Sequence, residues 1–228
     1  MANSHDLWIF AYGSLMWRPG FPFEETVHAK LTGWRRSFCI YSRYHRGSPC
    51  RPGLVLGLDR GGVCEGIAFR VSPKAAHETL EYLREREQVI SVYREALVPV
   101  TLLTGDRPEV MAVTYLVERA HPSYTGPLAL SIQAHLIRGG CGLSGSNIDY
   151  LANTLAHLAE LGIRERDMER LIGLVGPHIA RGGAHVHVRP SASALVEACR
   201  KHPVRVPRLR PEDARRFGYR NVLIARDD

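Results

Sequence analysis

One carboxylate stands out because of where its spacing puts it. Residues 73–88 read as a helix in which Ala76, Leu80, Leu83 and Glu87 recur at intervals of four, three and four. At about 3.6 residues per turn such positions share one face. Glu78, Glu81, Arg84 and Glu85 fall on other faces, where water can hold them. A carboxylate aimed at a core is costly unless it is paired, neutralised or put to use. Burial also raises its pKa, the property a general base needs near neutral pH. The other reading open to Glu87 is a structural ion pair with Arg86 or Arg94.

A second candidate is the segment Trp8-Ile9-Phe10-Ala11-Tyr12-Gly13-Ser14-Leu15, an apolar strand ending in Gly-Ser. Backbone N–H groups beyond the last ladder bond are free to cradle an anion or a polarised carbonyl oxygen. Gly13 would permit positive φ and let a ligand approach the backbone. An ordinary turn after a buried strand has the same pattern. Ser14 could be a nucleophile at a strand-to-turn elbow, but Ala11-Tyr12-Gly13-Ser14-Leu15-Met16 lacks the flanking glycines of G-x-S-x-G. His185 and His187 would share a strand face, yet nothing nearby supplies the third ligand a metal needs, so no metal is expected. His45-Arg46-Gly47 either touches an anionic ligand or holds its own loop by hydrogen bonds.

These residues need elements to place them. The first half of the chain is strand-rich and the second helix-rich, an α+β pattern. Residues 7–11 and 34–41 read as strands, and 44–53 as a loop rich in Gly, Pro and Arg. Residues 54–58 and 63–71 read as a strand pair joined across 59–62, where Gly61-Gly62 favours a tight turn. Residues 96–103 and 110–117 read as two more strands, and Pro99 marks the first as an edge strand or a bulged one. Helices follow at 128–138, from Ser146 (with Asp149 three residues on, as in a capping box) to Gly162, and at 167–179 before Gly182-Gly183. Beyond residue 183 the chain turns basic and carries Pro190, Pro203, Pro207 and Pro211. We therefore divide it into a main domain, 1–183, and a basic extension, 184–228.

Composition narrows the function. The chain has 228 residues, 45% of them hydrophobic, enough for a sizeable core. No apolar run reaches the roughly 18 residues that span a bilayer, and residues 1–6 lack a signal-peptide layout. No membrane role is expected, and the cytoplasm is the expected compartment. Cys39, Cys50, Cys64, Cys141 and Cys199 are widely spaced and form no C-x-x-C pair, which indicates neither zinc nor a disulfide framework. The net charge is +7, and the last 29 residues hold nine Lys and Arg against four Asp and Glu. That tail has only Phe217 and Tyr219 for base stacking, so nucleic acid is not an expected partner.

Taken together, the motifs resemble the ChaC-like γ-glutamylcyclotransferases. Tyr12-Gly13-Ser14-Leu15 with Met16-Trp17 is similar to the family's Y-G-S-L turn. His45-Arg46-Gly47 with Pro52-Gly53 resembles its H-R-G…P-G segment. Tyr82-Leu83-Arg84-Glu85-Arg86-Glu87, followed by Tyr93, resembles the helix end that carries its catalytic Glu. Tyr124-Thr125-Gly126-Pro127 resembles a Y-x-G-P element, and Ser144-Gly145-Ser146-Asn147 with Tyr150-Leu151 an S-G-x-N…Y-L helix start. Two departures accompany these matches: Gln88-Val89-Ile90-Ser91-Val92 lacks the glycines usual there, and Ser146 stands where Arg is common.

The resemblance implies a small closed mixed β-barrel with flanking helices. It implies cleavage of glutathione to 5-oxoproline and cysteinylglycine, with Glu87 as general base and no metal or other cofactor. The substrate would lie against Ile9, Phe10, Ala11, Tyr12, Gly13, Ser14 and Leu15, with Tyr124 closing over it. Other γ-glutamyl amines or dipeptides are the alternative substrates, and a binding module of the same fold without turnover is the alternative class.

Overall fold

The structure, a computed structural model, describes residues 6–87 and 92–175. Five strands close a barrel in the order β1-β3-β2-β4-β5. They are β1 (Leu7–Ala11), β2 (Glu25–Ser42), β3 (Gly53–Val71), β4 (Tyr93–Leu102) and β5 (Glu109–Val117). β1 runs antiparallel to β3 and parallel to β5, where Trp8↔Ala112 and Ile9↔Val113 close the ring, so the barrel is mixed. β1 is short and covered at its C-terminal end, with Ile9, Phe10 and Ala11 buried and Leu7 and Trp8 half-buried. Its apolar run reads accordingly as a central strand.

The closing seam on the other side is narrow. β2 meets β4 only at Ala29↔Leu102 and Lys30↔Thr101. β4 otherwise pairs with β5 along its length, through Pro99↔Met111, so Pro99 sits on a strand with one side open over most of its course.

The expected tight turn at residues 59–62 is corrected. β3 runs unbroken from Gly53 to Val71, antiparallel to β2 throughout. Thr32↔Val63 and Trp34↔Arg60 leave Gly61 and Gly62 opposite Gly33, and all three have positive φ (92°, 82° and 86°). Two residues opposite one is a bulge, and glycines adopt its left-handed backbone without a Cβ penalty. A pair of glycines serves a hairpin turn or a bulge equally well. Here the bend coils the long β2–β3 hairpin around the barrel.

The helices lie around this ring. α1 (Ala76–Glu87) leads from β3 to β4, and α2 (Leu130–Gly139), α3 (Asn147–Glu160) and α4 (Arg166–Val175) follow β5. Two short strands, β6 (Cys141–Gly142) and β7 (Gly145–Ser146), pair between α2 and α3. Ser146 caps α3 as expected, accepting from Asp149 N at 3.1 Å. On α1, Leu83 is buried and Ala76, Leu80 and Glu87 are half-buried, with Thr79 buried among them. Among the described residues no helix is long and apolar enough to cross a membrane. Residues 88–91, the end of the helix expected at 167–179, His185, His187, and the boundary and extension from 183 onward lie outside the described residues.

Candidate active site

β1 stays in the ladder through Ala11↔Ile67, and then the chain turns away. Ser14–Met16 forms one 3₁₀ turn, closed by Met16 N to Gly13 O and Arg18 N to Ser14 O, both 2.9 Å. The N–H groups of Gly13, Ser14 and Leu15 donate to no acceptor among the described residues. Gly13 has φ −134°, so the positive value that glycine permits is not used here. Its contribution is open space: a Cβ there would meet nothing within 4 Å, so a ligand can approach the backbone.

Buried side chains peg this segment from behind. Thr114 Oγ1 donates to Phe10 O at 2.9 Å. Arg36 Nε donates to Tyr12 O at 2.5 Å and Nη2 to Glu65 O at 2.6 Å, while Nη1 pairs with Glu165.

Glu87, on the last turn of α1, faces the front of the same segment. It shares a cleft with Phe10, Tyr12, Gly13, Ser14 and Leu15, and with Leu56, Tyr93, Tyr115 and Tyr150. Its side chain keeps 18% of its exposure. Burial raises its pKa, while the charge and hydrogen bond of Arg86, 3.3 Å away, oppose the rise. The ion pair with Arg86 is thus present, whereas Arg94 is exposed. The surrounding tyrosines stay neutral: burial pushes Tyr12 and Tyr93 well up and Tyr150 to about 12, and the nearby Glu87 charge adds to each. Tyr93 is fixed by donating to Leu56 O at 2.7 Å.

Arg86 does more than meet Glu87. It donates to Ser14 Oγ at 3.1 Å, Arg18 O at 2.7 Å and Tyr82 Oη at 3.0 Å, tying the end of α1 to the turn. Ser14 Oγ therefore accepts from a guanidinium, and among the described residues no base is bonded to it. A nucleophilic Ser14 gains no support.

The H-R-G segment holds its loop. His45 Nδ1 lies 3.0 Å from Ser144 Oγ, and Arg46 Nη1 donates to Ser144 O at 2.6 Å and Ser146 O at 3.3 Å. The Arg46 guanidinium also lies 5.0 Å over the Tyr150 ring, steadying a wall of the cleft. A Cβ on Gly47 would overlap the backbone of Gly53 and Ser42, so only glycine fits that crossing. Buried Asn147 pairs with both backbone groups of Leu54, at 2.6 and 2.8 Å.

Tyr124 is placed elsewhere. Its hydroxyl donates to buried Asp59 at 3.1 Å, a carboxylate also held by Arg119 at 2.7 Å and Arg35 at 3.3 Å. It does not line the cleft, and neither do Ile9 and Ala11, which are buried in the strand. Glu87 meets Phe10, Tyr12, Gly13, Ser14 and Leu15 there. Among the described residues no three His, Cys, Asp or Glu side chains group closely enough to hold a metal ion. A larger cavity of about 650 Å³ between β2, α2 and α4 excludes Glu87.

Sequence reasoning missed Arg36, Glu165 and the roles of Arg86 and Tyr115. Arg36 had the signal that exposed Glu87: it is a charge two residues from buried Phe38, hence on the same inward strand face.

A closed mixed barrel with a half-buried carboxylate over the bend after its first strand defines a γ-glutamylcyclotransferase-type fold. The solved structure of a yeast γ-glutamyl cyclotransferase specific to glutathione is similar to it, at TM-score 0.67 and 25% identity over 76% of this chain and 99% of that one. The family model for ChaC-like protein matches residues 7–177, and the chain belongs to that family. Among curated relatives, a glutathione-specific γ-glutamylcyclotransferase of Escherichia coli K12 is 31% identical over 81% of this chain and 79% of its own length. The mouse glutathione-specific γ-glutamylcyclotransferase 1 is 34% identical over 75% and 78%. Arabidopsis thaliana γ-glutamylcyclotransferase 2-3 is 33% identical over 74% and 88%.

Proposed function

We infer that this chain is an enzyme, a γ-glutamylcyclotransferase that cleaves glutathione to 5-oxoproline and cysteinylglycine. The observation that carries the reading is Glu87 sharing a cleft with Gly13, Ser14 and Leu15, whose N–H groups have no acceptor among the described residues. The relatives' activity supports the choice of substrate.

The reaction is a ring closure within the substrate. Glu87 takes a proton from the substrate's α-ammonium, which frees the nitrogen lone pair. That nitrogen attacks the γ-carbonyl carbon, and the carbonyl oxygen becomes an oxyanion facing the turn. The C–N bond to the cysteinyl residue then breaks as Glu87 returns its proton to the departing nitrogen. The ring nitrogen, still carrying one proton too many after the attack, releases it, and the liberated amine takes one up to become the ammonium. Protons and one C–N bond change places and no electrons are exchanged, so the chemistry requires no redox partner. General acid–base work contributes about 10² to 10⁴ in rate. Holding the glutamyl chain folded back on itself adds more, since effective molarities for oriented ring closure reach about 10⁵ M. The neutral tyrosines supply hydroxyls and ring faces to enclose the glutamyl head.

We read the working compartment as the cytoplasm. Among the described residues Cys39, Cys50, Cys64 and Cys141 form no disulfide, as suits a glutathione-buffered space.

The test is incubation of the purified chain with glutathione and, separately, γ-glutamylalanine, with 5-oxoproline as the readout. Release from glutathione in preference is the expected result. No release from either would overturn the reading.

A further inference from the structure

We propose that Arg36 is a positioning residue that aims a backbone donor at the reacting carbonyl, and that Glu165 holds it in place. The inference rests on the cyclotransferase reading for its kinetic consequence, and on geometry alone for its structural one.

Arg36 lies on β2 with its side chain fully covered. All three guanidinium nitrogens are engaged: Nε by Tyr12 O, Nη2 by Glu65 O and Nη1 by Glu165. The carbonyl of Tyr12 and the N–H of Gly13 belong to one peptide plane. In a trans peptide these two bonds point in opposite directions. Arg36 and Glu165 border the cavity between β2, α2 and α4, whereas Gly13 borders the cleft of Glu87. The peptide therefore stands between the two spaces. Its carbonyl is fastened toward Arg36, and its N–H is turned toward the cleft, with no acceptor among the described residues.

Fastening the carbonyl fixes the donor. It also strengthens it, because a charged donor on the C=O polarises the peptide and leaves the N–H more positive. A donor aimed where charge develops lowers the barrier without tightening ground-state binding. The effect belongs in kcat.

The carboxylate of Glu165, 129 residues away in sequence, supplies the third anchor and balances the buried charge. Removing one partner of such a pair outright leaves a lone buried charge. Conservative changes therefore carry the test: Arg36→Lys, which keeps the charge but not the three-way fork, and Glu165→Gln, which keeps the shape but not the ion pair.

With the full-length chain and glutathione, Arg36→Lys should lower kcat by about 10- to 100-fold, with KM within about threefold. Glu165→Gln should lower kcat by about tenfold, again with little change in KM. In ¹⁵N-labelled protein the Gly13 amide nitrogen should move upfield in both variants, because its peptide loses polarisation. Folded variants with unchanged kcat, or with a loss confined to KM, would overturn the proposal. If Arg36→Lys does not fold, Glu165→Gln alone decides. Should the wild-type chain release no 5-oxoproline, the activity reading fails by itself. The Gly13 resonance then decides this proposal, and an unmoved signal in Glu165→Gln sinks it.

Discussion

Arg86 Nε lies 3.3 Å from Glu87 Oε1, and the same guanidinium is bonded to Ser14 Oγ. Two consecutive residues thus link the proposed base to the turn after β1. The pairing also sets the base's strength. Burial pushes the Glu87 carboxyl up, and the charge and hydrogen bond of Arg86 oppose part of that rise.

Glu87→Gln keeps the side-chain shape and removes the proton acceptor. The variant should fold and lose 5-oxoproline release by at least about 10²-fold. Turnover near that of the wild type would remove Glu87 from the mechanism.

The pH dependence has a defined sign. In the proposed mechanism Glu87 works as the carboxylate, and burial raises its pKa above the ordinary 4.5. Activity should rise with pH through that elevated value, measured as kcat/KM against pH. Arg86→Gln removes the opposing charge, so the acidic limb should shift to higher pH. A limb that stays in place, or moves down, contradicts the electrostatic role of Arg86.

The same shift predicts stability. Between the unfolded pKa and the raised folded one, the native state binds more protons, so stability falls as pH rises through that window. Glu87→Gln should be more stable than wild type near neutral pH, by about 1.4 kcal/mol for each unit of elevation. The gap should close at a pH below the unfolded value. Chemical denaturation at two pH values measures it, and equal stability at both would show that Glu87 carries no burial cost.

Tyr124→Phe should cost about 1 kcal/mol of stability through the lost bond to Asp59, and leave KM for glutathione within about twofold. A tenfold rise in KM would instead put Tyr124 against the substrate.

Asn147→Ala should be far more damaging, about 2–4 kcal/mol by thermal or chemical unfolding. It leaves the buried N–H and C=O of Leu54 without partners, and each orphaned group costs about 1–3 kcal/mol. A loss under about 0.5 kcal/mol would mean that Leu54 finds other partners.

Much of this was legible in the chain because it is local or periodic. The four-three-four spacing ending at Glu87 marks a helix face, and Ser146 with Asp149 marks the start of α3. The apolar run from Leu7 to Ala11 identifies a covered strand. What was not legible depends on groups distant in sequence. Gly61-Gly62 reads the same in a hairpin and in a bulge, and only Gly33 across the ladder distinguishes them. The partner of Tyr124 is Asp59, 65 residues away, and that of Arg36 is Glu165, at 129. Neither separation leaves a periodic trace, so a turn motif that looked self-sufficient depends on a distant helix.

That dependence has a temporal side. Ribosomes extend a chain by about 5–20 residues per second. A nascent polypeptide therefore displays its first strand, its bend and Glu87 some seconds before Glu165 follows. In that interval Arg36 lacks the carboxylate that balances its charge, so on the proposal above the Tyr12–Gly13 plane is not yet fully fixed opposite Glu87. On that proposal, competence arrives late in translation, when the segment opening α4 emerges from the exit tunnel and docks.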